Sequence, residues 1–394
     1  MTSAQKRRYV VMLGLLTMFG PLCLDLYLPS LPRLSKELGT TESLGQLSLT
    51  ACLLGLGLGQ LIFGPLSDKF GRRRPLLWAL GLFTIVSLLC AYAASIEQLL
   101  VMRFLQGAAG AGGAVISRSV ARDLYTGSDL TRFFALLMVV NGLAPVLAPI
   151  AGGQLVKLMT WRGIFMVLAI LGGVLLTLTL LLLKESLPRE LRAEGSWRTT
   201  FSALSKVISS RRFMGLCLVQ GFIMAGMFSY LGASSFVLQE TYHLSAQSFS
   251  LCFALNGFGL VISGQISARL SRNGREPLVV RYGLVLAVIA SALFVIIAAA
   301  NLPLPYFLAS LWLTIVFVSG IGTAATSLAM QVHERQISGM ASAVLGVLMF
   351  SMGGFCIPLS SFAGVTAFSM ALTFLCCYVL AWCAYRWVEW PSSR

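Results

Sequence analysis

The chain has 394 residues, of which 57% are hydrophobic and only 11% are charged, and its formal net charge is +15. A soluble protein of this length has too little polar surface to cover so many apolar side chains, so the composition excludes a soluble globular protein and indicates a membrane protein. A helix that crosses a hydrocarbon core of roughly 30 Å needs about 20 apolar residues. The sequence contains twelve such runs. They are predicted near 9–30, 45–67, 75–95, 99–121, 132–157, 162–184, 213–238, 246–269, 279–300, 305–331, 337–358 and 363–388.

The basic charge is explained by membrane topology rather than by nucleic acid. Most of the 29 lysine and arginine residues fall in the loops that face the cytoplasm if the N-terminus is cytoplasmic. Cytoplasmic loops of membrane proteins carry such an excess of lysine and arginine. The sequence therefore predicts that both termini are cytoplasmic and that the partner is the lipid bilayer, with no nucleic acid.

The first predicted span contains an unexpected acid, Asp25, within the string CLDLYLPS. A carboxylate in hydrocarbon costs several kcal/mol unless it is paired, hydrated or protonated. No other acidic residue is predicted inside a span away from its ends, so Asp25 is a candidate proton carrier. Pro21 and Pro29, four residues on either side, are expected to loosen the local helix.

The string GPLSDKFGRRR, which begins at Gly64, lies in the predicted inner loop between spans two and three. Gly64 and Gly71 permit a tight turn. Asp68 lies among cations that include Arg72 and Arg73, so it is expected to form an ion pair or to cap a facing helix. The alternative is an ordinary basic inner loop, which explains the arginines but not the glycine–acid–glycine spacing.

Span four contains RFLQG, in which Arg103 is predicted near the outer end of the span. A buried guanidinium group needs an anion or carbonyl groups as partners. Counting residues from the outer ends of their spans places Asp25 and Arg103 each about 6 Å deep, so we expect them to pair or to share water. The alternatives are a fixed pair that never titrates and an arginine that reaches the outer interface.

Span five contains NGLAPVLAPIAGGQL, in which Pro145, Pro149 and Gly153 recur every four residues on one helix face, with Gly152 beside them. This spacing favours a bend and close packing, and generic small-residue packing is the alternative. The glycine-rich strings GLGLG and GAAGAGGA lie inside spans two and four. We interpret them as faces for close helix packing rather than as dinucleotide-binding loops.

The longest polar interruption divides the chain into an N-terminal bundle over 1–184, a cytoplasmic linker over 185–212 and a C-terminal bundle over 213–394. The halves share a weak repeat, since Ser67-Asp68-Lys69 and Ser267-Ala268-Arg269 follow spans two and eight. The predicted fold class is an all-α membrane protein with twelve transmembrane helices in two six-helix pseudo-symmetric halves. Such repeats are the plan of many secondary transporters.

The loop that begins at Gly64 resembles the signature loop of the major facilitator superfamily, G-x-L-[SA]-D-[RK]-x-G-[RK]-[RK], and the match is complete. In that family the loop is a cytoplasmic gate, which implies gating roles for Gly64, Asp68, Gly71, Arg72 and Arg73. The RFLQG string is similar to a family element tied to proton coupling. The span-five string resembles the family's antiporter motif, G-P-x-x-G-G, except that Ala148 replaces the glycine before Pro149.

The strings LDLYLPSLP, GQLIFGPLSD, LLVMRFLQG and FALNGFGL look like the bicyclomycin/chloramphenicol-resistance (Bcr/CflA) branch of that superfamily. This resemblance implies a drug:proton antiporter of the bacterial inner membrane. The alternative is a superfamily member that carries a metabolite such as a sugar, a nucleoside or an amino acid.

Helix position alone suggests substrate-cavity residues that are polar, aromatic or soft, with helix packing as the alternative role. These candidates are Tyr27, Met138, Asn141, Tyr230, Phe236 and Asn256. No motif of an enzyme, an ATPase or a metal site occurs in the sequence. We therefore expect a monomeric transporter with a small-molecule substrate and protons as partners, and with no cofactor or metal beyond the proton gradient.

Overall fold

The computed structural model describes residues 3–125, 146–192, 204–271, 274–332, 338–362 and 364–389. The predicted site residues Met138, Asn141 and Pro145 lie outside this part of the chain. The helices of the N-terminal half are α1 (Ser3–Asp25), α2 (Leu31–Glu37), α3 (Glu42–Phe70), α4 (Arg73–Ala91), α5 (Ile96–Leu124), α6 (Val146–Leu158) and α7 (Trp161–Leu182). After a short helix α8 at 204–209, the others are α9 (Arg211–Phe236), α10 (Ala246–Leu270), α11 (Glu276–Ala299), α12 (Leu304–Met330), α13 (Ser338–Ser360) and α14 (Ala367–Glu389).

Eleven of the twelve predicted membrane-spanning helices are confirmed, and predicted span five lies partly outside the described residues. Within the described residues, eleven helical segments are long and apolar enough to cross a membrane, and α6 adds a shorter apolar helix within predicted span five. Large apolar side chains such as Ile85, Ile170 and Ile289 are exposed on the helix surfaces. Exposed apolar surface of this kind suits lipid rather than water.

Several helices begin at a hydroxyl side chain that accepts a hydrogen bond from the first helical turn. Thr41 accepts from the amide of Leu44, and Ser95 accepts from the amide of Gln98. Ser210 and Ser245 begin α9 and α10 in the same way. Such caps satisfy amide groups that have no partner within the helix.

The chain divides into two compact units, Met1–Glu194 and Gly195–Arg394. In the first unit, α3 packs along α5, α4 packs against α5 and α7, and α1 packs against α5. A side chain at Gly55 would overlap the backbone of α5, and one at Gly107 would overlap the backbone of α3. The interpretation of the glycine-rich strings as close packing faces is therefore confirmed.

The second unit repeats the packing pattern of the first. Its second and fourth spans, α10 and α12, pack together as α3 and α5 do. Its third span, α11, packs against α12 and α14 as α4 packs against α5 and α7. The two six-helix units are thus built on one plan, as the pseudo-symmetric fold class predicts.

Candidate functional site

The first membrane segment is interrupted immediately after Asp25, where α1 ends. A 3₁₀ turn over Leu28–Ser30 then leads into α2, so the segment continues to Glu37 instead of ending near residue 30. Pro29 has no N–H group, so the carbonyl group of Asp25 cannot receive the usual helical hydrogen bond. The sequence-based expectation of a loosened helix is confirmed, and the first predicted span is confirmed as one membrane segment that extends beyond its predicted end near residue 30.

Asp25 is buried, with 4% of its surface exposed. Its carboxylate forms no hydrogen bond or ion pair with another residue in the described part of the chain. The segment runs on to Glu37 beyond the break, so Asp25 lies twelve residues from its end, whereas the predicted depth of about 6 Å assumed an end near Pro29. The structure thus contains a buried acid with no built-in counterion among the residues described.

Arg103 is fully buried and is held by neutral groups. Its guanidinium group donates to the side-chain oxygen of Gln106 and, over 3.4 Å, to the backbone carbonyl of Ser48. The group also lies 4.5 Å from the ring centre of Tyr27 and 5.5 Å from that of Phe165. Aromatic faces attract a desolvated cation. The expected ion pair between Arg103 and Asp25 does not occur in the described residues, because aromatic and amide groups surround the cation instead.

Tyr27 lies close to both Asp25 and Arg103. It follows Asp25 by two residues, its ring faces Arg103, and its hydroxyl group hydrogen-bonds to the Ser48 hydroxyl over 2.9 Å. The sequence analysis proposed Tyr27 only as a cavity residue. Its contact with Arg103 is a feature that the sequence did not reveal.

The span-five motif also reaches the break after Asp25. Gly152 on α6 packs so closely against the break that follows α1 that a Cβ atom there would overlap the backbone carbonyl of Leu26 and would lie 3.4 Å from the ring of Pro29. Only glycine leaves room for this approach. The structure therefore brings the predicted antiporter motif and the predicted proton carrier to one place, and Pro149 lies on the same helix.

The loop between α3 and α4, which is the predicted inner loop, forms a network around Arg72. The guanidinium group donates to the Ser67 hydroxyl over 3.0 Å, forms an ion pair with Asp68, and forms a second ion pair with Asp123 over 2.9 Å. Burial opposes the charge of this group, but the hydrogen bonds to Asp123 and Asp68 outweigh it and hold the pKa of Arg72 above its ordinary value. The predicted pairing of Asp68 with one of the loop's cations is confirmed, and Arg72 is its partner.

Glu185, the first residue of the predicted linker, completes this loop. One carboxylate oxygen accepts from the Arg72 amide over 2.7 Å, and the other accepts from the Arg73 amide over 3.2 Å. The carboxylate thereby caps the start of α4, where the unpaired amide groups favour an anion. Gly71 has φ +87°, and a Cβ atom at this position would meet the Glu185 carboxylate.

The sequence analysis missed Asp123 and Glu185 because they lie 51 and 113 residues from Arg72 in the chain. Each was visible only as one more acid at a helix end. Their position at the inner ends of spans four and six was the one available signal. Gly64, a further predicted gate residue, accepts a hydrogen bond from the Ser67 hydroxyl through its carbonyl group.

The predicted cavity residues of the second unit are also buried. Asn256 donates from its side-chain amide to the Tyr230 hydroxyl over 2.9 Å. The Tyr230 ring stacks on Phe253 with the ring centres 5.3 Å apart. Phe236 lies at the end of α9 and is buried. Their role toward a substrate stays a prediction.

The family assignment follows from sequence comparison, in which residues 13–358 match the family model described as Major Facilitator Superfamily. The chain belongs to the major facilitator superfamily. A Bacillus subtilis (strain 168) protein named "Uncharacterized MFS-type transporter YdgK" is 39% identical over 371 residues, which cover 94% of this chain and 92% of that protein.

Other relatives of this superfamily member carry names that refer to drug resistance. The "Chloramphenicol resistance protein" of Pseudomonas aeruginosa is 30% identical over 88% of this chain and 80% of that protein. The "Bicyclomycin resistance protein homolog" of Haemophilus influenzae is 26% identical over 96% of this chain and 95% of that protein. The resemblance to the bicyclomycin/chloramphenicol-resistance branch is therefore confirmed.

Solved structures of the superfamily share the fold. A bacterial homologue of the human lysosomal transporter Spinster superposes with a TM-score of 0.77 at 14% identity, and 100% of each chain is covered. The structure titled "Crystal structure of D-xylose-proton symporter" gives a TM-score of 0.73 at 16% identity, with 97% of this chain and 98% of that chain covered. At such identity the likeness shows the fold alone. The superfamily member is a multi-pass membrane transporter, which agrees with the prediction that it is not an enzyme.

Proposed function

We propose that this transporter is a proton-coupled antiporter that exports small amphipathic drugs or related compounds by alternating access. Asp25 carries the proton. The observation that supports this role is a buried carboxylate at a break in a membrane segment, with no counterion in the described part of the chain. Burying a charged carboxylate is costly, and protonation removes most of that cost.

Arg103 acts on Asp25 through Tyr27 in this proposal. The guanidinium group keeps its charge at all physiological pH values and lies against the Tyr27 ring, two residues from Asp25. A fixed cation of this kind favours release of the proton from the Asp25 carboxyl group when the substrate site faces the cytoplasm. Protonation from the more acidic outer side then returns the carrier to its neutral form.

The direction of transport rests on two further observations. Gly152, in the string that resembles the antiporter motif, packs against the residue that follows Asp25. Two relatives are named for resistance to chloramphenicol and to bicyclomycin. In this proposal the chain lies in the bacterial inner membrane with both termini cytoplasmic, as the distribution of lysine and arginine predicts.

The test is substrate-dependent proton movement in proteoliposomes that contain the wild-type chain or Asp25→Asn. The substrate panel contains chloramphenicol, bicyclomycin, amphipathic dyes, and representative sugars, nucleosides and amino acids. We expect the wild type to move protons against at least one amphipathic compound. We expect Asp25→Asn to lose uphill transport while it still exchanges substrate down a gradient.

Glu37→Gln is the matched control because it neutralises an acid of the same membrane segment that already pairs with Arg33 and hydrogen-bonds to Trp161. We expect this variant to keep proton coupling. Uphill transport by Asp25→Asn at the wild-type rate would show that Asp25 is not the proton carrier. Accumulation of a metabolite together with protons would replace the export function with metabolite symport.

A further inference from the structure

A basic cleft of about 490 Å³ lies where the start of α4 meets the residues that follow α7. We call it the arginine cleft, because Arg73, Arg74, Arg189 and Arg192 line it. The one acid in its lining is Glu185. Guanidinium groups remain protonated at any physiological pH, so four positive charges face one negative charge.

The carboxylate of Glu185 is already engaged elsewhere. One of its oxygens accepts from the amides of Arg72, Ser186 and Leu187 over 2.7, 3.1 and 3.1 Å. The other accepts from the Arg73 amide and lies 3.9 Å from the Arg192 guanidinium group. The Glu185 carboxylate therefore binds mainly backbone amide groups, and the cleft keeps an excess of positive charge.

Two guanidinium groups of the cleft each have one buried donor atom without an acceptor among the described residues. Arg73 donates from Nη2 to the Leu180 carbonyl over 2.8 Å, but its buried Nε atom has no hydrogen-bond partner among the described residues. Arg192 donates from Nη2 to the Leu187 carbonyl over 3.5 Å, and its buried Nε atom likewise has no hydrogen-bond partner among the described residues. Buried donors without acceptors are rare in folded proteins, and a ligand in the cleft that accepts hydrogen bonds would satisfy them.

Arg74 and Arg189 are exposed at the cleft, and neither side chain forms a hydrogen bond or ion pair with another described residue. A planar guanidinium group can donate two parallel hydrogen bonds to two oxygen atoms of one phosphate group. A cleft with four arginines and two unsatisfied buried donors thus has the chemistry of a phosphate site.

The surroundings of the cleft favour a lipid as the source of the phosphate. Leu180 and Leu181 in the last turn of α7 are exposed, Leu181 to 76%. Nearby on the inner side of the bundle, Phe70 and Trp78 are exposed and lie edge to face, with ring centres 5.9 Å apart. Aromatic residues are enriched at the level of lipid headgroups, and basic pockets on the cytoplasmic side bind anionic headgroups.

We propose that the arginine cleft binds a phosphate group, and that its source is the headgroup of an anionic phospholipid in the cytoplasmic leaflet. This site is separate from the transport site at Asp25. Bound lipid would connect α4 with the loop after α7, in which Glu185 also accepts a hydrogen bond from the Arg72 amide.

The test measures the thermal unfolding midpoint of the purified full chain in neutral detergent, titrated with phosphatidylglycerol. Phosphatidylcholine with the same acyl chains and inorganic phosphate are separate titrations. We expect phosphatidylglycerol to raise the midpoint in a saturable way, and the other two to raise it much less. The double variant Arg74→Gln/Arg189→Gln should need a roughly tenfold to thirtyfold higher concentration of phosphatidylglycerol. Each exposed arginine near an anionic lipid adds to the affinity, and this variant removes two of them.

The matched control is Arg269→Gln/Arg281→Gln, which removes two exposed arginines from the second unit and changes the net charge equally. We expect its lipid titration to match that of the wild type. If both double variants needed equally higher concentrations of phosphatidylglycerol, specific binding in the arginine cleft would be overturned and diffuse charge attraction would be indicated. Equal stabilisation by phosphatidylcholine would overturn phosphate recognition by charge, and equal stabilisation by inorganic phosphate would overturn the lipid as its source. None of these outcomes depends on transport, so they are distinct from a failure of the proposed antiport.

Discussion

The guanidinium group of Arg103 lies 4.5 Å from the centre of the Tyr27 ring, and Tyr27 follows Asp25 by two residues. This contact places a fixed buried cation next to the helix break that carries the one predicted proton-binding carboxylate. The two charges are connected by an aromatic ring instead of by an ion pair. Within the described residues, Asp25 therefore has no ion pair that would have to break for it to carry a proton in the proposed mechanism.

The first prediction concerns the Tyr27 ring. Tyr27→Leu should lower the free energy of unfolding by roughly 2–4 kcal/mol, because it removes an aromatic face from a desolvated cation and leaves a cavity. Tyr27→Phe keeps the ring and loses the hydrogen bond to Ser48, so it should cost about 1 kcal/mol. Unfolding of both variants in detergent measures the difference. Equal costs would show that the ring does not stabilise Arg103.

The second prediction separates the two acids that pair with Arg72. The Asp123 side chain is 17% exposed and the Asp68 side chain is 54% exposed. Breaking a buried pair leaves a buried charge without a partner and costs about 3–5 kcal/mol, whereas an exposed pair contributes about 0–1 kcal/mol. Because Arg72 is buried, Asp123→Asn should destabilise the protein more than Asp68→Asn does.

Transport by the same two variants tests the gate that the family resemblance implies. Asp68→Asn should slow transport even though it leaves stability nearly unchanged. The measurements are thermal unfolding in detergent and uptake in proteoliposomes. A variant Asp68→Asn with wild-type transport would contradict the gating role of this residue.

The third prediction concerns close packing beside Asp25. Gly152→Ala should reduce transport and stability because the new methyl group overlaps the Leu26 carbonyl. Gly81→Ala is the matched control, since a methyl group at this helical position meets no atom within 4 Å. Alanine is favoured over glycine inside helices, so the control should be neutral or stabilised by up to about 1 kcal/mol. Similar behaviour of the two variants would contradict the packing role of Gly152.

The fourth prediction is a pH dependence of substrate binding. If the proton and the substrate compete, each lowers the affinity for the other by the same factor. Binding of a neutral substrate should therefore weaken as the pH falls and Asp25 becomes protonated. Asp25→Asn should bind with an affinity that does not change with pH. Binding measurements on purified protein across a pH series test this, and tighter wild-type binding at low pH would argue for symport.

The order of the membrane helices could be predicted from the sequence because each apolar run must satisfy its own backbone hydrogen bonds in lipid. Predicted spans two, three and four correspond to α3, α4 and α5. The first span was predicted too short because its apolar pattern weakens at Pro29 and Arg33, although helical structure resumes in α2. Local composition therefore determines which segments enter the membrane, but it does not show how a proline-rich segment continues.

Contacts within the predicted inner loop could also be predicted from the sequence. Gly71, Asp68 and Arg72 lie within a few residues of one another, and their contacts depend on one turn. The partners Asp123 and Glu185 were decided only by the tertiary structure, because helix packing brings together residues that are far apart in the chain. The surroundings of Arg103 show the same limit. A sequence shows that a buried arginine needs partners, but a cation accepts carboxylates, carbonyl groups and aromatic faces alike. Only the packing of α1, α3, α5 and α7 selected the Tyr27 ring, the Ser48 carbonyl group and the Phe165 ring.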